Sequence, residues 1–240
     1  MIIPTYQEEE YIKETLVYMA KAKSIAESKG IESEILVVDS GQDRTLELAR
    51  PFSDKVFRFT DRGVSKARNF GAAQASGNIL LFFDADVIVP ANLLEEVMRT
   101  FEDEAVVAAI SRVQPRKSES HALSTSERLF YSLDDVFVRN CTRHKLFLRF
   151  YNRGDVLAVQ RESFLKTGGF NERLAILEIT ELVLKLSQRG RIALLETMVY
   201  DSSRRLKRWG VLRSYLLWWR NYGSFYLRRQ PFDRNYETVR

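Results

Sequence analysis

The sequence predicts an α/β fold: a mostly parallel sheet flanked by helices, followed by a basic amphipathic helical tail. Three observations predict it. Over the first hundred residues, short apolar runs alternate with helical stretches. Those runs are continuously apolar, the mark of strands covered on both faces. The last forty residues combine arginines with aromatic and aliphatic residues at helical spacing.

The elements follow in order. MIIPTY (1–6) is a first apolar run, stopped by Pro4. Residues 8–29 read as a helix that Gly30 ends. EILVVD (34–39) is a buried strand followed by the turn residues Ser40 and Gly41. A short helix over 44–50 is closed by Pro51, and KVFRFT (55–60) is a third strand. Residues 64–76 are helical up to Gly77, and NILLFFD (78–84) is a fourth strand. Leu93, Leu94, Val97, Met98 and Phe101 share one face of a helix over 91–101. Residues 118–140 read as a helix whose Leu129, Phe130, Leu133, Val136 and Phe137 are expected in the core. Residues 145–151 and 154–160 read as strand returning to the sheet.

Composition narrows the function classes. The chain has 240 residues, 45% of them hydrophobic, so a substantial core is available. No run reaches the ~18 apolar residues of a membrane-spanning helix. The opening MIIPTYQEEE has no basic stretch before an apolar one, so no secretory signal is expected there. Cys141 is the single cysteine, which excludes an intrachain disulfide and a Cys-rich zinc site. His121 and His144 are too far apart for a local metal motif, and neither GxGxxG nor GxxxxGK[ST] occurs. Charge is uneven. Eight basic residues and no acid lie between Ser202 and Phe232; with a net charge of +5, the remainder carries −3. Such a tail points to an anionic partner, lipid or nucleic acid.

Ligands of open parallel sheets bind beyond the carboxyl ends of the strands. There the sequence puts Pro4-Thr5-Tyr6, Asp39 and Asp84-Ala85-Asp86. Two carboxylates one residue apart at a strand end can share one hard cation, Mg²⁺ or Mn²⁺, which in turn bridges phosphate oxygens.

The segments IIPTYQEEEYI (2–12), ILVVDSGQDRT (35–45), GVSKARNFGAAQASGNILLFFDADV (63–87) and GGFNE (168–172), in this order and spacing, resemble the family 2 glycosyltransferases. The resemblance spans about residues 1–200 and implies the GT-A fold, whose nucleotide-sugar domain is Rossmann-like. It implies a nucleotide pocket lined by Pro4, Thr5, Tyr6 and Glu8, with Asp39 facing the base. Lys66 and Arg68 would approach base and diphosphate, with Arg68 also able to position Asp84. Asp84 would contact the ribose, and Asp84 and Asp86 would serve the Mn²⁺ or Mg²⁺ on the diphosphate. Gly168, Gly169 and Phe170 would lie on the acceptor side.

Two departures from the family pattern matter. The loop VDSGQDRT is one residue short, so Asp39 alone is carried over from it. The family's usual Glu-Asp pair after GGF is here Glu178-Ile179, with Glu181 further on. Glu178 and Glu181 are both candidate bases, three residues apart on one helix face. An acceptor that is already ionised, such as a phosphate, would need no strong base. His144 is a conceivable third metal ligand.

The resemblance implies transfer of a hexose from a nucleotide-sugar donor, with inversion. Residues 1–110 would bind the donor, 111–200 the acceptor, and 201–240 form the basic aromatic tail. Leu212, Tyr215, Leu216, Trp219, Tyr222 and Tyr226 fall on one face of that tail. The expected partner is a membrane surface at the cytoplasmic inner face, met peripherally, with a polyprenyl-phosphate-linked acceptor in reach and no nucleic acid. Alternatives are a retaining transferase of the phosphoglycerate-glycosylating type, a catalytically degenerate nucleotide-binding scaffold, and an RNA-binding protein using the tail.

Overall fold

The computed structural model describes residues 1–116, 119, 123–153, 155–228 and 231. Strands β1 (Ile2–Thr5), β2 (Leu36–Asp39), β3 (Lys55–Arg58) and β4 (Ile79–Phe83) alternate with helices α1 (Ile12–Glu27), α2 (Thr45–Ala49) and α3 (Val64–Gln74), as predicted. Helix α4 (Leu93–Thr100) leads to β5 (Val106–Pro115), α5 (Thr125–Arg143), β6 (Val156–Gln160) and α6 (Arg161–Thr167). Helix α7 (Glu178–Ser187), β7 (Arg191–Asp201), α8 (Arg204–Trp209) and α9 (Val211–Arg228) follow.

The seven strands form one sheet in the order β3-β2-β1-β4-β6-β5-β7. Only β6 runs against the others, since it pairs antiparallel with both β4 and β5. The remaining six therefore end at one edge, at Thr5, Asp39, Arg58, Phe83, Pro115 and Asp201. The side-chain period of two splits each apolar strand between two cores. Ile3, Val37, Leu81 and Phe83 face the α1 and α4 side. Ile2, Leu36, Leu80 and Phe82 face the α3 and α7 side. Continuous apolar sequence is thus what a sheet covered on both faces requires.

Three expectations are corrected. Residues 145–151 are not strand: Phe147–Phe150 form a 3₁₀ turn. Strands β5 and β7 have no counterpart among the predicted elements. In α5, Phe130 is buried, whereas Leu129, Leu133 and Val136 are exposed. The first part of the predicted helix at 118–140, at 118 and 120–122, lies outside the described residues, as does His121.

The tail is helical, but its predicted single stripe is divided. Tyr222 and Phe225 are buried against Leu174, Ile176 and Leu177, and the Tyr222 hydroxyl donates to the Phe150 carbonyl at 2.6 Å. Burial of such side chains is worth roughly 1.5–3 kcal/mol each. Leu212, Leu216 and Trp219 turn outward, 74%, 64% and 59% exposed. Among the described residues no helix is long and apolar enough to cross a membrane.

Candidate active site

The parallel register sets Thr5 beside Asp39 and Asp39 beside Arg58. Asp39 is used by its neighbours. Its Oδ1 accepts from the Thr5 hydroxyl at 2.9 Å and the Gly41 N–H at 3.1 Å. Its Oδ2 accepts from Arg58 Nη1 at 2.9 Å. Gly41 is required by a close approach, because a Cβ there would stand 2.7 Å from the Gln7 nitrogen. Beside these strand ends opens a cavity of about 570 Å³, with Tyr6, Ser40, Gly41, Gln42, Arg58 and Arg62 among its walls. The Arg62 guanidinium lies 5.6 Å from the Tyr6 ring centroid. A second cavity, of about 280 Å³ between α5 and β7, holds none of the predicted site residues.

Of the four residues expected to line a nucleotide pocket, Tyr6 lines this cavity. Thr5 is buried and holds Asp39, Pro4 is paired within the sheet, and Glu8 faces Arg204 instead. Lys66 stands apart on the rim, 3.6 Å from Asp61.

At the end of β4 lies the second half of the site. Arg68, on α3 and 2% exposed, donates from Nη2 to Asp84 Oδ1 and from Nη1 to Glu178 Oε1, each at 2.8 Å. Its guanidinium lies over the Phe170 ring at 5.3 Å. Phe170 is fixed by two hydrogen bonds of 2.9 Å with the Asn69 amide: its N–H donates to Asn69 Oδ1, and Asn69 Nδ2 donates to its carbonyl. Phe170, expected on the acceptor side, is itself buried and supports Arg68. Gly168 and Gly169 form the left-handed turn that delivers it, at φ 78° and 71°.

Glu178 opens α7 directly after Leu177, whose φ of 66° is costly for a branched residue. Burial pushes the Glu178 carboxyl up against the downward pull of Arg68. Glu181 is one turn further on, bound by Asn171 at 3.1 Å and Lys185 at 3.4 Å, with no bond to Arg68 or Asp84. The two candidate bases are thus placed differently.

Asp86 meets an arginine from the tail. Arg204 Nε lies 3.1 Å from Asp86 Oδ2, while its Nη1 and Nη2 grip both oxygens of Glu8 at 2.8 and 2.9 Å. Arg204 also stacks over Tyr11 at 4.7 Å. Arg116, just past β5, donates to the Asp86 carbonyl at 2.7 Å. Burial pushes Asp86 up to about 6; Arg204 pulls it down, and Asp84 and Glu8 push it further up.

Behind Asp86 is a buried ionic cluster. Arg153 binds Asp134 at 2.6 Å, Asp155 at 2.9 Å and Asp201 at 3.2 Å, and the Tyr131 hydroxyl donates to Asp201 at 3.1 Å. Burial and Asp155 hold Asp201 well above the usual carboxylate range. Sequence reasoning missed Arg58, Arg116, Arg153 and the target of Arg204. The signal within reach was position, since Arg58 and Arg116 stand at the ends of strands on the ligand edge.

A hard cation suits Asp84 and Asp86. Asp84 Oδ2 and Asp86 Oδ1 have no protein hydrogen-bond partner among the described residues. Among the described residues no three of His, Cys, Asp and Glu converge there, so a cation would complete its shell with phosphate and water oxygens. His144 is on the surface beside Phe147, away from both carboxylates.

The chain is similar to an uncharacterized glycosyltransferase of Haemophilus influenzae, 26% identical over 192 residues, 78% of this chain and 61% of that one. It is 31% identical over 118 residues to a dolichol-phosphate mannosyltransferase of Pyrococcus furiosus, covering 47% of this chain and 32% of that one. It spans less than two thirds of either relative. Its structure resembles a mannosyltransferase from Pyrobaculum calidifontis solved with GDP-Man and Mn²⁺, with a TM-score of 0.63 and 22% identity over 94% of this chain and 60% of that one. The seven-stranded, helix-flanked sheet is the GT-A fold. Residues 1–166, more than half of the chain, match the sequence pattern of glycosyl transferase family 2, and the chain belongs to that family.

Proposed function

We propose that this protein transfers a hexose from a nucleoside-diphosphate sugar to an acceptor, with inversion at the anomeric carbon. The observation that carries the reading is the Asp84–Arg68–Glu178 chain, which ties the first carboxylate after β4 to a buried acid on α7. Asp84 and Asp86 would hold Mn²⁺ or Mg²⁺, which when bound neutralises the departing diphosphate. The acceptor oxygen attacks the anomeric carbon, and the electron pair of the breaking bond leaves with the diphosphate. Glu178 takes the acceptor proton, and its raised affinity for a proton suits that task. Arg68 keeps Glu178 aimed at Asp84, and Phe170 keeps Arg68 in place.

In this reading residues 1–110 hold the donor, with Tyr6 against the base, and 111–200 form the acceptor side. The tail, 201–240, supplies Arg204 to the site. Arg116 and Arg204, both beside Asp86, suit an acceptor that carries phosphate. The outward stripe of Leu212, Leu216 and Trp219, flanked by exposed Arg213 and Arg220, supports peripheral binding to the anionic inner face of the cytoplasmic membrane. A polyprenyl-phosphate-linked acceptor would be within reach there. Release of nucleoside diphosphate, screened across UDP-, GDP- and dTDP-hexoses with Mn²⁺ and Mg²⁺, tests the reading. Turnover of none of them, with polyprenyl-phosphate-linked acceptors that carry a free hydroxyl supplied, would overturn it.

A further inference from the structure

Asp39, the residue that the family resemblance assigns to base recognition, has a side chain with no exposed surface. Its two oxygens already accept from Thr5, Gly41 and Arg58. A ligand entering the adjoining cavity therefore meets Arg58 first. That side chain is 46% exposed and forms part of the cavity wall. Its Nη1 is committed to Asp39 Oδ2 and to the Gly41 carbonyl. One corner of a planar fork is thus anchored, while Nε and Nη2, the neighbouring donors of its other edge, have no acceptor among the described residues.

We propose that Arg58 is the base-reading residue of this pocket and that it selects guanine. Nε and Nη2 would donate to O6 and N7, two acceptors side by side on one edge of the base. Uracil and thymine offer a carbonyl flanked by a ring N–H on one side, which repels the second donor. Adenine sets an amino group beside N7. Cytosine has adjacent acceptors, N3 and O2, but O2 lies next to the glycosidic bond, which makes CDP the informative competitor. The Tyr6 ring, with Arg62 over it, gives a flat wall on which a purine can stack. Asp39 then acts at one remove, as the anchor that fixes the plane of Arg58.

The inference rests on the cavity being a nucleotide pocket, and the experiment separates the two. GDP, UDP, dTDP, ADP and CDP are titrated calorimetrically into the full chain with Mn²⁺, for wild type, Arg58→Met and Arg58→Lys. Wild type should bind GDP about tenfold to a hundredfold more tightly than the others, the usual range for hydrogen bonds from a charged group. Both variants should lose that advantage. Arg58→Lys keeps a cation against Asp39 but has no fork, so an unchanged melting temperature with lost preference assigns the effect to reading rather than to folding. Wild-type preference for another base, or a GDP preference that survives in both variants, overturns the inference and leaves the nucleotide pocket standing. Binding of no nucleoside diphosphate would overturn both.

Discussion

Arg68 and Glu178 are 110 residues apart in sequence and 2.8 Å apart in the fold. The same guanidinium reaches Asp84 at equal distance. A buried arginine between two carboxylates fixes both geometrically, and removing Arg68 leaves both without their shared cation.

Glu178→Gln should lower kcat by ~10²–10⁴, with the affinity for nucleoside diphosphate changed little, since proton removal is a transition-state contribution. Glu181→Gln should stay close to wild type, because Glu181 has no bond to Arg68 or Asp84. Steady-state kinetics on the two variants decide. A large loss in Glu181→Gln beside normal Glu178→Gln would exchange their roles.

The pH dependence follows from Asp86, which burial pushes up to about 6. A carboxyl whose folded value lies above its unfolded value, near ~3.9, binds its proton more tightly when folded. Its contribution to stability is therefore full below the unfolded value and lost as pH rises through about 6. A cation with diphosphate needs the ionised form, so its effect runs the other way. The rise in melting temperature given by Mn²⁺ plus nucleoside diphosphate should be small near pH ~5 and grow as the pH passes that value. Melts recorded across this range check it; a gain already complete at the acid end contradicts it.

Arg153→Met should destabilise the fold by ~3–5 kcal/mol, because it strands Asp134, Asp155 and Asp201 without their shared cation. Urea unfolding measures the loss. A change below ~1 kcal/mol would mean that the carboxylates are neutral or hydrated in the folded chain.

Sedimentation with anionic liposomes at low salt should carry the full chain down, and Leu216→Glu with Trp219→Glu should abolish this while the melting temperature holds. Binding should weaken at 1 M salt, where screening shortens to ~3 Å. Absence of the wild-type chain from the pellet at low salt rejects the membrane reading.

What the sequence made legible, and what it did not, has a physical pattern. Strands β1 to β4 were readable because both faces are buried, so apolar residues run without a break. FLRF at 147–150 imitates strand alternation, yet it turns as a 3₁₀ segment with Leu148 buried and Phe147 exposed. Strands β5 and β7 carry arginine or glutamate within them, which local pattern counts against burial. At the site, Asp84 and Asp86 stood out by following an apolar strand. Arg204 did not, because its partner Glu8 lies 196 residues away, and a tail arginine read alone is a solvated charge. The tail stripe was half legible: helical spacing groups Leu216 with Tyr222, but only packing shows that Tyr222 turns inward.

The central claim is that Asp84 and Asp86 bind the diphosphate of a nucleotide sugar through a divalent cation. Calorimetry of nucleoside diphosphate binding, with and without Mn²⁺, on wild type and Asp86→Asn tests it most directly. Binding should be tight only for wild type with metal, and weak and metal-independent for Asp86→Asn. Equal affinity in all four titrations would contradict it.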